Sequence, residues 1–175
     1  MKHEIKKTFE CDYGHRVHNQ SLNAEYSIDN CLVCRHLHGH RMSVDIWLGA
    51  DELTNDMVTD FKHLNWFKQF IDDYIDHKFI IDINDPLFYT ITHHMPLDVK
   101  RYSNGLGYFE LSHKQGNELL NEFTESFVVV DFVPTSENLS KYFFEFAQKK
   151  MEKIGVKVIK VAFRETPKSE ACYGV

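Results

Sequence analysis

Residues 34–49 read CRHLHGHRMSVDIWLG, a stretch that joins chemically reactive side chains to an apolar strand. Apolar residues alternate along it at Val44, Ile46 and Leu48. Side chains two residues apart lie on the same face of a β-strand, so His38 and His40 extend that apolar face and can both reach one ion. Gly39 between them has no side chain, which lets backbone or a ligand approach closely. The stretch predicts a strand over residues 38–49 that carries two metal-binding histidines.

These two histidines supply half of the ligands of a tetrahedral zinc ion. Imidazole is the commonest metal ligand, and one further histidine from another strand would leave the open position that catalytic zinc requires. His15, just after the first predicted strand, is the candidate for that ligand, and His18 competes with it. Cys34 is either a fourth ligand, which would make the site closed and structural, or a free thiolate beside the metal.

The composition indicates one folded domain over residues 1–175. Hydrophobic residues make up 43% of the chain and aromatic residues 14%, enough for a substantial core, and no linker or repeat divides the sequence. The net charge of −6 argues against nucleic acid or anionic membranes as partners. The sequence has no apolar run of membrane-spanning length and no apolar stretch typical of a signal peptide, so we expect a cytoplasmic protein.

Hydrophobic periodicity predicts an α+β fold, with two helices packed on a mainly antiparallel sheet. The predicted strands cover residues 3–11, 38–49, 126–133 and 156–164. Helices are expected over 57–75 and 136–151, the second capped by Thr135 or Ser136. Residues 80–125 indicate loops with short strands or a hairpin, and Pro167 makes continuation of the last strand unfavourable.

Two further positions carry candidate chemistry. Asp76 and His77 follow the first predicted helix, and a carboxylate that orients an imidazole is a common acid–base arrangement, although such pairs also occur on solvated helix ends. Glu165 ends the last predicted strand. Its carboxylate could accept two parallel hydrogen bonds from an amidine-like group of a guanine or pterin ring, or it could simply be exposed.

Five short motifs occur in the order in which one enzyme family carries them. They are FECDYGHRV at 9–17, CRHLHGH at 34–40, DHK at 76–78, PTSENL at 134–139 and RET at 164–166. Over nearly its whole length the chain resembles the 6-pyruvoyltetrahydropterin synthase / 6-carboxytetrahydropterin synthase family. Three residues separate Cys34 from His38, as in the 6-carboxytetrahydropterin synthases of bacteria, whereas the animal pyruvoyl enzymes have a longer gap.

The resemblance implies a tunnelling fold, in which an antiparallel four-stranded sheet with two helices on one face oligomerises into a β-barrel. It implies a homohexamer with active sites at subunit interfaces, and residues 80–125 would be a longer variable segment. The implied zinc ligands are His15, His38 and His40. The implied catalytic residues are Cys34, Asp76 and His77. Glu165 would anchor the pterin ring, bordered by Thr135 and Ser136.

The function implied is that of a zinc-dependent lyase. It would convert 7,8-dihydroneopterin triphosphate to 6-carboxy-5,6,7,8-tetrahydropterin, acetaldehyde and triphosphate, a step towards queuosine and other 7-deazaguanines. The pyruvoyl reaction or another pterin reaction on the same fold is the first alternative. A non-catalytic zinc domain is the second, with a site closed by Cys31, Cys34, His38 and His40. The second alternative leaves the Asp76–His77 pair and Glu165 without a role.

Overall fold

The computed structural model describes residues 1–93, 97–101, 107–111 and 118–175. The strands within these ranges are β1 His3–His15, β2 His38–Ala50, β3 Lys78–Asp82, β4 Leu97–Arg101, β5 Gly107–Leu111, β6 Phe127–Val130, β7 Lys157–Thr166 and β8 Ser169–Gly174. The α-helices are α1 Asn65–Tyr74, α2 Phe88–Ile91, α3 Glu118–Glu125 and α4 Ser136–Met151. All of the described strands belong to one sheet, in the order β4-β5-β6-β3-β1-β2-β7-β8. The expected α+β class is confirmed.

The sheet differs from the expected four-stranded antiparallel one, because it has eight described strands and mixed pairing. β1, β2, β7 and β8 pair antiparallel in series. After α1 the chain returns to the sheet as β3, which runs antiparallel to β2 and therefore parallel to the end of β1, and which also pairs in parallel with β6. Beyond Pro167 the chain reverses, and β8 pairs with β7 as a further edge strand.

The first helix is shorter than the predicted range of 57–75. The α-helix begins at Asn65 and follows a 3-10 turn over Phe61–Leu64. The Asp60 side chain accepts a hydrogen bond from the Lys62 amide at 2.7 Å, which caps the 3-10 turn and separates it from the preceding loop. The second helix has its predicted bounds, and the hydroxyl of Thr135 caps it by accepting from a backbone amide in the first turn.

The core lies between one face of the sheet and the helices α1 and α4. The inward residues of β1, β2 and β7 alternate along each strand as expected for a half-buried sheet. They pack against aromatic residues that the two helices contribute, which are Phe67, Phe70, Phe143 and Phe146. The prediction of two helices on one sheet face is therefore confirmed for α1 and α4.

The opposite face of the same strands holds a buried carboxylate. Asp45 on β2 has a fully buried side chain. Its oxygens lie 3.1 Å from Lys6 Nζ and 2.6 Å from a guanidinium nitrogen of Arg164, and the Thr8 hydroxyl donates to it at 2.5 Å. This network joins β1, β2 and β7 across the sheet.

The register of β1 and β2 brings their histidine-bearing ends together. His15 pairs with His38, Tyr13 pairs with His40, and Gly14 pairs with Gly39. A Cβ atom on Gly39 would lie 2.8 Å from the Tyr13 carbonyl oxygen, closer than side chains and backbone approach each other. The expectation that Gly39 permits a close approach is therefore confirmed, and the approaching group is backbone.

The segment over residues 80–125 contains part of β3, the short helix α2, an antiparallel β4–β5 hairpin and α3. The prediction of short strands or a hairpin is confirmed for the described part, while residues 94–96, 102–106 and 112–117 lie outside it. Across the described ranges of the chain, no helix is both long enough and apolar enough to span a membrane.

Candidate active site

Three histidines meet where β1 and β2 are paired. The ring centroids of His15 and His38 are 4.5 Å apart, those of His38 and His40 are 4.9 Å apart, and those of His15 and His40 are 5.4 Å apart. One ring nitrogen of each lies within 4.8 Å of the others. The strand parity that predicted a shared face for His38 and His40 thus describes the site correctly.

Backbone carbonyl groups orient two of these rings. His15 Nδ1 lies 2.7 Å from the oxygen of Pro134, and His38 Nδ1 lies 2.8 Å from the oxygen of His36. Because a carbonyl oxygen only accepts hydrogen bonds, we assign the ring proton to Nδ1 in both, which leaves the Nε2 lone pair for a ligand. The buried Nε2 atoms of His15 and His40 have no aligned hydrogen-bond partner. This donor set fits a metal ion, since metal-bound histidines characteristically donate their other ring N–H to an oxygen.

A carboxylate completes the cluster. Glu165, on β7, places Oε1 2.7 Å from His15 Nε2 and 3.1 Å from His40 Nε2, and its side chain is 23% exposed. The contact with His15 is the largest influence on Glu165 and lowers the pKa of this carboxyl, whereas burial opposes the shift. For His40, burial is the largest influence and lowers the pKa of the imidazole. We name these four side chains, His15, His38, His40 and Glu165, the histidine–glutamate cluster.

A cavity of ≈ 280 Å³ opens beside Glu165. Its lining residues are Val17, Gln20, Cys34, Thr135, Ser136, Glu137, Glu165, Ser169, Glu170 and Ala171. The structure thus brings together four of the sequence-predicted site residues, which are Cys34, Thr135, Ser136 and Glu165. The Ser136 hydroxyl lies 3.4 Å from Glu165 Oε2, so this carboxylate faces both the cluster and the cavity.

Cys34 lies at the cavity and outside the histidine–glutamate cluster. Burial, followed by the negative charge of Glu165, raises the pKa of the Cys34 thiol above its usual value, and a hydrogen bond with the Gln20 side chain lowers it. Gln20 Oε1 also accepts from the Cys34 backbone amide at 3.0 Å. The backbone oxygen of Gln20 in turn accepts from the Arg35 guanidinium, with 2.9 Å to Nε. Sequence reasoning missed Gln20, because neither its residue type nor its spacing in the loop before Cys34 is distinctive.

The competing ligands proposed from the sequence lie elsewhere. His18 Nε2 is 2.9 Å from Asp82 Oδ2, a contact that fixes the loop after β1 to the end of β3. Cys31 is exposed, and neither cysteine of the C-x-x-C pair belongs to the histidine–glutamate cluster. The structure therefore assembles His15 with His38 and His40, and it does not form the closed Cys31–Cys34–His38–His40 site.

Asp76 and His77 form the expected pair, but they do not line the cavity. His77 Nδ1 lies 2.9 Å from Asp76 Oδ2, and Asp76 Oδ1 accepts from the Asp12 amide at 3.0 Å. Burial raises the pKa of Asp76, and the hydrogen bonds from Asp12 and His77 outweigh it, so the pKa is lowered overall. The His77 side chain is 78% exposed, and its backbone is left-handed with φ 58°. Within one chain the pair thus presents an imidazole to solvent.

Comparisons with known proteins match nearly the whole chain to one enzyme family. The family model described as 6-pyruvoyl tetrahydropterin synthase matches residues 4–174. The 6-carboxy-5,6,7,8-tetrahydropterin synthase of Aquifex aeolicus (strain VF5) is 36% identical over 184 residues, which cover 99% of this chain and 98% of that protein. An uncharacterized protein from Wolinella succinogenes, known from a crystal structure, is 46% identical in sequence to this chain. Its structure matches with a TM-score of 0.91, and the match covers 98% of this chain and 97% of that one. The 6-pyruvoyl tetrahydropterin synthase of Caenorhabditis elegans is 20% identical with a TM-score of 0.54, over 98% of this chain and 94% of that one, a likeness of fold alone.

Proposed function

We propose, from the premise that this chain belongs to the 6-pyruvoyl tetrahydropterin synthase family and is a lyase, that it produces 6-carboxy-5,6,7,8-tetrahydropterin. The substrate would be 7,8-dihydroneopterin triphosphate, and the other products acetaldehyde and triphosphate. One structural observation carries the proposal: Glu165 belongs to the histidine–glutamate cluster, which could hold a metal ion, and also lines the cavity that contains Cys34. The 36% identical Aquifex relative bears the name of this product, and the Cys34–His38 spacing supports the same subgroup.

The metal of the proposal is zinc, held by His15, His38 and His40. Three imidazole nitrogens are a ligand set that catalytic zinc commonly uses, and the carbonyl-oriented rings of His15 and His38 are prepared for it. When bound, zinc would supply Lewis-acid stabilisation of negative charge that develops on substrate oxygens.

The cavity residues would bind the ring and move protons. The Glu165 carboxylate can accept two parallel hydrogen bonds from the amidine edge of a pterin, and the hydroxyl groups of Thr135 and Ser136 border the same space. Cys34 would exchange a proton with a substrate carbon, and its amide is held by Gln20 in the loop. Fixing the ring at Glu165 while Cys34 is fixed by Gln20 would supply the orientation on which much of the rate depends.

Asp76 and His77 would act in the cavity of another copy of the chain. The pair is formed, its imidazole is exposed, and neither residue lines its own chain's cavity, as expected for groups that complete a site across an interface. The charge of the cavity supports the same conclusion. Its described lining includes Glu137, Glu165 and Glu170 but no lysine or arginine, so the cations for a triphosphate must come from elsewhere. The proposed assembly is a homohexamer with a β-barrel formed by its sheets.

The proposal places the reaction in 7-deazaguanine and queuosine biosynthesis and in the cytoplasm. All four cysteines, at positions 11, 31, 34 and 172, are free thiols in the structure. Free thiols, one of them proposed as catalytic, suit a reducing compartment.

The test is incubation of the zinc-loaded protein with 7,8-dihydroneopterin triphosphate. Release of acetaldehyde together with a product of the mass of 6-carboxytetrahydropterin is expected, and Cys34→Ala should abolish both. A product that retains the side-chain carbons would identify the pyruvoyl reaction instead. Turnover to neither product by folded, zinc-loaded protein would contradict the proposal.

A further inference from the structure

Glu165 faces two binding partners with one carboxylate. Oε1 points at the Nε2 atoms of His15 and His40, at 2.7 and 3.1 Å, while Oε2 lies 3.4 Å from Ser136 Oγ at the cavity. The proposed function gives this residue the second partner only, the pterin ring. The two short distances place Glu165 equally within reach of the histidine nitrogens of the cluster.

The convergence of Glu165 and the histidine nitrogens on one point is the geometry of ligands around a cation. The Nδ1 proton of His15 goes to the Pro134 carbonyl, so in the neutral ring Nε2 presents a lone pair to an acceptor oxygen. The Nε2 atoms of His15 and His40 are both buried without an aligned hydrogen bond. Lone pairs that converge on one point repel each other unless a cation lies between them. Imidazole nitrogens and a carboxylate oxygen are together a normal four-ligand set for zinc.

We infer that Glu165 is the fourth ligand of the metal while the cavity is empty, and that a bound pterin ring draws this carboxylate away and so opens the coordination position. The inference rests on the proposed function for the identity of the ring. A carboxylate that accepts two parallel hydrogen bonds from an amidine uses both oxygens, so metal ligation and ring binding compete for Glu165. Its partial exposure and the long 3.4 Å contact between Oε2 and the Ser136 hydroxyl leave it room to turn towards the cavity.

This exchange would couple recognition of the ring to activation of the metal. Without a pterin, the metal keeps four protein ligands, the arrangement of closed sites. With a pterin bound, three histidines remain and the position next to the ring becomes free. Small molecules that lack the amidine edge would leave the metal closed, which gives the site a specificity beyond the shape of its cavity.

The experiment uses full-length protein loaded with Co²⁺ in place of zinc, because the visible absorption of Co²⁺ reports its ligands and coordination number. The variants are Glu165→Gln, which keeps the shape of the side chain, and Glu165→Asp, which keeps the charge at a shorter reach. Glu137→Gln is the matched control, since Glu137 lines the same cavity and lies outside the cluster. Zinc affinity is measured in parallel by competition with a chromophoric chelator, and folding by circular dichroism.

Without pterin, Glu165→Gln should alter the Co²⁺ spectrum and weaken zinc binding by roughly 10–100-fold, the range that loss of an interaction supporting a metal site produces. The Asp variant should give an intermediate affinity, and Glu137→Gln should match the unmodified protein. Identical spectra and zinc affinities for folded Glu165→Gln and the unmodified protein would overturn the assignment of Glu165 as a ligand.

Neopterin, a fully oxidised pterin without the triphosphate, probes the exchange. Its addition should shift the spectrum of the unmodified protein towards that of Glu165→Gln. Binding of neopterin, detected by quenching of its fluorescence, with no spectral shift would overturn the exchange. If neopterin does not bind, the exchange and the ring-binding part of the proposed function both fail, and the pterin-free comparison still decides whether Glu165 is a ligand.

Discussion

The Nδ1 atom of His15 lies 2.7 Å from the carbonyl oxygen of Pro134, the residue before the N-terminal cap of α4. This contact connects a proposed metal ligand on the sheet to the start of the longest described helix. It also explains why the cavity hydroxyls of Thr135 and Ser136 lie next to the histidine–glutamate cluster. One junction thus positions both the proposed metal site and the proposed ring-binding groups.

Substitution of His38 should remove metal binding while substitution of its neighbour His36 should not. His38→Ala deletes a nitrogen of the cluster, and we expect zinc affinity to fall by at least about 100-fold, the upper end of what weaker perturbations of a site cause. His36 contacts His38 through its backbone oxygen, which His36→Ala retains. Competition with a chromophoric chelator measures the zinc affinity of both variants. Equal zinc affinities in the two variants would contradict the ligand assignment.

Loss of the Gln20 side chain should make Cys34 less reactive. The hydrogen bond with Gln20 lowers the pKa of the Cys34 thiol, so Gln20→Leu should raise that pKa and shift the pH profile of alkylation to higher pH. Asn23→Leu is the control, because Asn23 lies in the same loop and its side chain contacts the Glu25 amide instead. Peptide mass spectrometry after iodoacetamide treatment separates Cys34 from the exposed Cys31 and Cys172. An unchanged profile in Gln20→Leu would rule out this effect.

Asp45 should make stability depend on pH in the acid range. Burial raises the pKa of Asp45, but the hydrogen bonds from Thr8, Arg164 and Lys6 outweigh it and the pKa is lowered overall. A carboxyl with a lowered pKa in the folded state stabilises above its unfolded pKa, and this contribution is lost as the pH falls through its folded pKa.

Asp45→Asn should therefore lower the free energy of unfolding at neutral pH by about 1.5–3 kcal/mol, the usual worth of hydrogen bonds to a charged group. Its stability should also depend less on pH below pH 4 than that of the unmodified protein. Urea unfolding at several pH values measures both effects. If the free energies of unfolding of the two proteins differed by the same amount at every pH, Asp45 would not titrate as described.

Two inactive variants should restore activity in mixed oligomers. If Asp76 and His77 act in the cavity of another copy, Cys34→Ala and Asp76→Asn remove groups from different chains of each site. Co-expression of both variants should return up to about a quarter of the activity, because that fraction of randomly assembled sites contains both intact groups. Separately purified variants give the baseline. Mixed oligomers as inactive as the separate variants would indicate that each site uses one chain only.

The sequence predicted the local parts of this molecule well. The alternation along β2, the bounds of α4 and the capping hydroxyl of Thr135 depend on neighbours in the chain, which periodicity and capping rules describe. The grouping of His38 with His40 depends only on the strand period of two. His15 was the candidate third ligand from its place just after the first predicted strand, with His18 as its competitor, and the family resemblance implied His15 as well.

The features that the sequence did not predict depend on distant contacts. β3 and β8 are short strands, and their positions in the sheet depend on pairing with other strands. β3 pairs with β1 and β6, and β8 pairs with β7. Glu165 joins the histidines because the β2–β7 register brings it there, and no local pattern encodes that register. Gln20 acts on a cysteine fourteen residues away, across a loop that ends in the 3-10 turn Val33–Arg35. The turn before α1 has the apolar spacing of an α-helix, yet it is a 3-10 turn that begins after the cap at Asp60.

Gly14 and Gly39 face each other between the two histidine-bearing register pairs, and the Tyr13 carbonyl occupies the space that a Cβ on Gly39 would need. The requirement for particular residues at this centre therefore extends beyond the groups proposed to bind the ion. In a directed-evolution library that keeps the three histidines and randomises their neighbours, selection for metal binding should return glycine at position 39. A designer who transfers this site to another β-hairpin must transfer the glycine at position 39 with the histidines, because a side chain there would collide with the backbone of the facing strand.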